Sequence, residues 1–343
     1  MTFDIRVDVP LVSVCLITYN HAPYIRDCLD SILMQQTDFP FEICLGEDES
    51  TDGTREICIE YAEMHPDRIR LILRSQAEPE RKLYEAQGNY NYVETLKACR
   101  GKYVADCDGD DAWMDPRKLQ KQVDIMEADS SICLVCSDFA VANARTGEIL
   151  SRHQCRDRGL SHVVAEDRKE FMFDVLKSNY KITACTTMAR RSAIMDVLQS
   201  DPKLFMNFAN GDTPMYCELA ARGTFAYIDE PLAVYKVVCE SVTQSKDPRN
   251  RLHFFSRDED VKLYLARKHG LPTDSILRQK IKTANRLAMV EGELSEIAEL
   301  YRNHKRFFTA AERVAYQLAR IRWMRFLMRG VYCRIYSARW QAV

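Results

Sequence analysis

No uninterrupted apolar run in the chain reaches the ~18 residues that mark a membrane-crossing helix. The opening residues, Met1 to Asp8, mix charged and apolar side chains, unlike a secretory leader. Charge of one sign is missing as well. Lys and Arg number 48 against 50 Asp and Glu, a formal net charge of −2, which offers no basic field for nucleic acid. The turn Gly-x-Gly-x-x-Gly that cradles a dinucleotide does not follow the first apolar run, and neither does a Gly- and basic-rich phosphate loop. Thirteen cysteines are present, but they are odd in number and scattered through apolar runs (Cys15, Cys44, Cys133). That pattern fits free buried thiols in a reducing cytosol rather than a disulfide framework. Cys133 and Cys136 form one Cys-x-x-Cys with no second pair, so zinc or redox chemistry is not expected.

What the chain does hold is an alternation of two periodicities. Val12 to Thr18 is near-continuous in apolar residues, as in a parallel strand covered on both faces. After the turn Tyr19-Asn20-His21-Ala22-Pro23, residues 24–35 carry Ile25, Leu29, Ile32 and Leu33 at helical spacing. Strands are expected at 41–45, 69–73 and 103–105, with helices at 55–64 and 90–98. This order predicts an α/β fold with a doubly wound, mostly parallel sheet flanked by helices. A helix from Asp115 to about Ala128, a strand at 132–137 and a hairpin turning at Arg145-Thr146-Gly147 come next. Residues 151–166 carry few signals and read as a loop over the site. A helix at 167–178, a strand at 183–188 and a helix at 192–198 follow. From about Asn250 the strand signals stop and helical periodicity runs on. The expected division is a domain over residues 1–250 and an α-helical extension over 251–343.

Acids gather where the strands end. The fourth strand runs into Asp106, Asp108, Asp110 and Asp111. Side chains two apart in extended chain point the same way, so Asp108 and Asp110 converge, and Gly109 lets the backbone turn or a ligand approach. Crowded carboxylates repel one another, and a hard divalent cation such as Mg²⁺ or Mn²⁺ relieves this at neutral pH. The competing reading is an acidic turn that caps the next helix, which suits Asp115 before Pro116. The second strand ends in Glu47 and Asp48, acceptors suited to a base N–H or to ribose hydroxyls. Ser50, Thr51 and Asp52 fit helix caps. Near Asn210-Gly211-Asp212-Thr213-Pro214 another helix begins, with Thr213 as cap and Pro214 in the first turn. Asp212 sits just outside it, either facing a cleft or serving as a second cap. The helix dipole favours its ionised form.

Three of these stretches together resemble the successive motifs of family 2 glycosyltransferases with the GT-A fold. They are Val12 to Asn20, Glu47 to Thr54 and Asp108-Gly109-Asp110-Asp111, and the resemblance covers roughly residues 10 to 245. It implies that Thr18, Tyr19 and Asn20 lie near the base and that Glu47 and Asp48 contact uracil or ribose. Asp108 and Asp110 would hold the metal and the diphosphate. Glu47 departs from the family's usual Asp-Asp. The acid before the later helix, here Asp212, matches the family's general base. Val238 stands where the family often has a metal-side His. The function implied is an inverting transferase moving a sugar from a nucleotide-diphosphate sugar, most simply UDP-linked, to a glycan or lipid-linked acceptor. The alternatives are a non-catalytic sugar-nucleotide or glycan-binding module and a nucleotidyltransferase, the latter disfavoured by the missing phosphate loop.

The last stretch is strongly biased. Residues 311–343 hold seven arginines and one acid, Glu312. Val314, Leu318, Ile321, Met328, Tyr332 and Ile335 fall on one helical face, interrupted by Arg325. Such a helix, with Trp323 and Trp340, suits either an anionic membrane surface or packing against the catalytic domain or a second subunit. The expected location is the cytoplasm, free or peripheral on the inner membrane face.

Overall fold

The structure, a computed structural model, describes residues 9–154, 168–177, 182–207, 211–237, 247–327 and 329. It divides into two compact units, Met1–Val238 and Cys239–Val343.

In the first unit the described strands form one nine-stranded sheet. Strands β1 (Val12–Thr18), β2 (Phe41–Glu47), β3 (Ile69–Leu73) and β4 (Tyr103–Asp108) are parallel, in the order β3-β2-β1-β4. Their side chains are buried almost throughout, which is why they read as continuous apolar runs and not as alternation. Helices α1 (Ile25–Leu33), α2 (Thr54–Met64) and α3 (Gln87–Ala98) make the crossovers. Beyond β4 the sheet becomes mixed. β5 (Ala112–Trp113), β6 (Ile132–Asn143), β7 (Ile149–Ser151), β8 (Met188–Arg190) and β9 (Thr224–Val237) continue it, and β8 runs antiparallel to both β4 and β6. Helices α4 (Lys118–Ala128), α5 (Arg168–Leu176), α6 (Arg191–Ser200) and α7 (Asp212–Ala220) complete the unit. The core joins Val14, Leu16, Ile43, Leu45 and Ala105 to Leu29 and Ile32 of α1.

Most boundaries match the sequence pattern, and the exceptions have local causes. The strand expected at 183–188 is a 3-10 turn over Ala184–Thr186, followed by β8. Thr186 and Thr187 hydroxyls donate back to the carbonyls of Thr183 and Ala184, which favours a turn over a ladder. The hairpin at Arg145–Gly147 is present, joining β6 to β7, and Gly147 takes a φ of 72°. Helix α7 begins at Asp212 and not after it, with Gly211 as its cap residue. The expected loop at 151–166, apart from residues 151–154, lies outside the described residues, as does Val238.

The second unit is helical: α8 (Pro248–Lys268), α9 (Asp274–Val290), α10 (Ser295–His304) and α11 (Ala310–Ala319). Asp247 caps α8, with Pro248 in the first turn, and Thr309 with Glu312 forms a capping box on α11. Buried Lys280 of α9 donates to the Ser256 carbonyl and hydroxyl and to Asp260, each at 2.8 Å, and pairs with Glu296 of α10. One ammonium thus ties three helices together. The long basic helix expected from residue 311 is interrupted: α11 stops at Ala319, and a short helical segment resumes at 322–327. Tyr332, Ile335 and Trp340 lie outside the described residues. Among those described, no helix is long and apolar enough to cross a membrane.

Candidate active site

Parallel pairing brings the motif residues together. Thr18 registers with Glu47 across β1 and β2, and Ile17 registers with Asp108 across β1 and β4. The ends of three adjacent strands therefore lie level at the carboxyl edge of the sheet. Gly109 follows Asp108 in a tight turn. A Cβ on it would come within 2.6 Å of the Thr18 hydroxyl and 2.9 Å of the His21 ring nitrogen, so only glycine fits. The turn closes with the Asp111 amide donating to the Asp108 carbonyl at 3.0 Å.

Asp108 and Asp110 do converge, though by this turn and not by extended alternation, and Asp111 joins them. A carboxylate oxygen from each lies within 4.8 Å of the others. The crowding shows in their acidities. Burial, then Asp110, Asp212 and Asp111, push the Asp108 carboxyl well up. Burial and Asp110 push Asp111 up to about 8, although the Lys236 amide donates to it at 3.0 Å. Among the described ion pairs, none involves Asp108, Asp110 or Asp111. Three hard oxygen donors, close together and with no arginine or lysine paired to them, fit a divalent cation of the Mg²⁺ or Mn²⁺ type.

The acids of the second motif are placed differently. Glu47 is fully buried; it pairs with Arg55 and accepts from the Ser50 amide at 2.8 Å and the Glu49 amide. Asp48 is buried against Arg81, whose guanidinium lies 4.8 Å over the Tyr90 ring. Arg81 itself sits in a short 3-10 turn, Pro79–Leu83, in a stretch without a readable motif. Asn20 takes a positive φ of 55°, and its side chain accepts from the Thr51 amide while its own amide donates to Ser50. Asp52 accepts from the Ala22 and Thr54 amides. The first two motif loops are therefore laced together. Tyr19 stands 48% exposed beside them, and Thr18 is buried with its hydroxyl 3.3 Å from His21.

Asp212, at the start of α7, is electrostatically coupled to this edge. Its side chain reaches water, and the loss of solvation by the protein around it raises its pKa to about 6. It in turn raises Asp106 and Asp108. The α7 N-terminus is seated on α3, where a Cβ on Gly211 would meet Asn89 and Tyr92 at 3.2–3.3 Å. Asp106 is the residue that sequence reasoning left without a role. Burial, then Asp212, raise it to about 7; it accepts from the Tyr92 hydroxyl at 3.2 Å, and its second oxygen has no hydrogen-bond partner. Its period-two spacing with Asp108 was the available signal. Lys118 lies beneath, fully buried, 4.1 Å over the Trp113 ring and bonded to Gln122. Burial lowers it to about 8. The Cys133 and Cys136 thiols face different carbonyls, Leu219 and Ala226, and form no pair. Asp115 closes the turn before α4 and does not cap it: it accepts from the Arg117 amide at 2.7 Å and pairs with Lys121, while Arg117 is the cap residue.

A parallel sheet with its acids at the carboxyl edge, extended by a mixed half and followed by helices, is the GT-A arrangement. The chain belongs to glycosyl transferase family 2, whose model matches residues 13–198. It is 39% identical over 124 residues to an uncharacterized protein of Mycobacterium tuberculosis, covering 36% of this chain and 34% of that one. That match spans about a third of the relative's length. It is 28% identical over 240 residues to TuaG of Bacillus subtilis, a name attached to teichuronic acid biosynthesis, covering 69% and 83% of the two chains. Among solved structures it resembles S. aureus TarS 1-349 in complex with UDP-GlcNAc, with a TM-score of 0.50 and 15% identity, covering 96% and 92%.

Proposed function

We propose that this protein is an inverting, metal-dependent glycosyltransferase that moves a sugar from a nucleotide-diphosphate sugar to a hydroxyl of a glycan or lipid-linked acceptor. The observation that carries the reading is the cation-fitting acid turn, in which carboxylate oxygens of Asp108, Asp110 and Asp111 lie within 4.8 Å of one another, with a separate acid, Asp212, close enough to raise Asp108. Asp110, with Asp108 and Asp111, would hold the divalent ion. When bound, it supplies positive charge against the diphosphate that departs with the nucleotide. Thr18, Tyr19, Asn20, Glu47 and Asp48 define the nucleoside end, with Tyr19 as the exposed aromatic surface and Asp48 as acceptor beside Arg81. Glu47 and Asn20 act there by holding the loops, because their side chains are committed to Arg55, Ser50 and Thr51.

Asp212 accepts the proton of the acceptor hydroxyl as that oxygen attacks the anomeric carbon. A base raised to about 6 is still ionised at neutral pH and is a stronger proton acceptor than an ordinary aspartate. One displacement inverts the anomeric centre, so an α-linked donor gives a β-linked product. UDP is the proposed nucleotide, supported by the acidic nucleoside end and by UDP-GlcNAc in the TarS complex. Catalysis is assigned to the first unit, and residues 251–343 are the helical extension. The cytoplasm is the proposed location, supported by ten described cysteines that are all free and buried. A panel of nucleotide sugars, scored for Mn²⁺-dependent donor hydrolysis and transfer, tests the reading. Binding of a donor without turnover under any metal would replace it with a sugar-nucleotide-binding module.

A further inference from the structure

The C-terminal unit presents large apolar side chains to water in its most basic stretch. Trp323 is 65% exposed, Phe326 80% and Leu327 54%. Their spacing of three and four residues puts them on one face of the 322–327 segment. Val314 and Ile321, just before it, are exposed as well. Arg313, Arg320, Arg322 and Arg329 are exposed among them, while Glu312 is engaged in the capping box of α11. From Arg313 onward the sequence contains no acid. The remaining arginine of the segment, Arg325, turns inward and donates to the Gly292 carbonyl at 3.0 Å. The segment therefore holds an arginine against its own unit and turns its aromatics out, the reverse of an ordinary packed amphipathic helix.

We propose that this face docks on an anionic lipid bilayer, with Trp323, Phe326 and Leu327 entering the interface and the flanking arginines meeting lipid phosphates. Trp favours the bilayer–water boundary, and juxtamembrane arginines are drawn to an anionic leaflet. Charge decides against a second copy as the occupant. A two-fold interface sets the same patch against itself, and here that would oppose four arginines to four arginines. A bilayer surface carrying negative headgroups satisfies both the apolar and the basic parts of the face. The proposal is independent of the chemistry assigned to the first unit.

The test is sedimentation of the full-length protein with vesicles of phosphatidylcholine, with and without phosphatidylglycerol, at low and high salt. The protein is expected to sediment with the anionic vesicles at low salt, to be released by high salt, and to ignore pure phosphatidylcholine. The double variant Trp323→Ser, Phe326→Ser should bind about tenfold or more weakly, and Arg320→Gln with Arg322→Gln should flatten the salt dependence. These side chains are exposed, so circular dichroism and donor hydrolysis should stay at wild-type levels. A blue shift of tryptophan fluorescence on adding anionic vesicles, lost in Trp323→Ser, gives a second readout. Absence of wild-type binding at low salt, or equal binding by the double variant, would overturn the proposal. Self-association abolished by Phe326→Ser, with no vesicle binding, would assign the face to a second copy instead.

Discussion

Two groups of acids stand at the carboxyl edge of the same sheet, and they are neutralised in opposite ways. After β2, Glu47 and Asp48 are buried against Arg55 and Arg81, cations that the chain itself supplies. After β4, Asp108, Asp110 and Asp111 come within 4.8 Å of one another with no arginine or lysine paired to them among the described residues. The first group is finished when the chain folds. The second fits a cation from outside the chain, and burial with mutual repulsion raises the pKa values of Asp108 and Asp111. A carboxylate that brings its own counter-ion contributes to the fold, while one that does not must obtain charge from outside, and that separates the acids that build the nucleoside end from those that would hold the ion.

The sharpest way to break this comparison is to swap the outcomes of one substitution in each group. Asp110→Asn should leave thermal stability at or above wild type, since it relieves repulsion, while transfer falls by about 10³-fold or more. Chelation with EDTA should do the same to the wild type, and added Mn²⁺ or Mg²⁺ should restore it. Unchanged activity in excess chelator would remove the metal from the account.

Asp212→Asn comes next. Transfer should drop by roughly 10²–10⁴-fold with nucleotide affinity unchanged, because the nucleotide is held elsewhere. In the wild type, the rate should fall as pH drops through about 6, where Asp212 takes up a proton and loses its capacity as a base. Asparagine keeps the size and shape of aspartate in the first turn of α7, so a purely structural Asp212 would leave both readouts flat.

For the paired group the expected loss is in stability. Asp48→Ala strands the Arg81 guanidinium, which is 2% exposed, and should cost about 3–5 kcal/mol in chemical denaturation. If Asp48→Ala unfolds at the wild-type denaturant concentration, the ion pair is not structural and the contrast fails.

The smallest effect lies in the helical unit. Burial raises Glu259 from 4.5 to about 7, and its Oε2 has no hydrogen-bond partner. The folded chain keeps a proton there that the unfolded chain has released, so stability declines as pH rises from about 4.5 through 7. Glu259→Gln keeps an acceptor for the Thr283 hydroxyl. It should raise stability at pH 8 by about 1–3 kcal/mol and do little at pH 4. Equal gains at both pH values would show that Glu259 is ionised throughout.

Much of this was legible in the order of residues. Continuous apolar runs located β1, β2 and β4, the last two ending in acids, and three motifs in sequence identified the family before any contact was known. The partners of those acids were not legible. Arg81 comes from a Pro-Glu-Arg-Lys stretch with no periodicity, and only folding shows that it neutralises Asp48. Asp106 looked like one acid in a row, because the pattern carries no information about Tyr92 or Asp212 approaching from other elements. The basic tail misled for a related reason. Its apolar stripe assumed one uninterrupted helix, but α11 ends at Ala319; Arg325 does turn inward as its place in the stripe implies, while the stripe residues Val314 and Ile321 stand exposed. Local periodicity predicts faces only as far as the helix that carries them continues.

The buried thiols have a practical consequence. All ten described cysteines are buried, and thiol reagents need an accessible thiolate. Replacing the three further cysteines of the sequence, Cys155, Cys239 and Cys333, with serine would leave only those ten buried thiols. A single cysteine introduced at Tyr19, or at Phe326, would then carry a fluorophore to the nucleoside end or to the lipid-facing segment, one position at a time. Donor binding and vesicle binding could be followed separately on the same polypeptide.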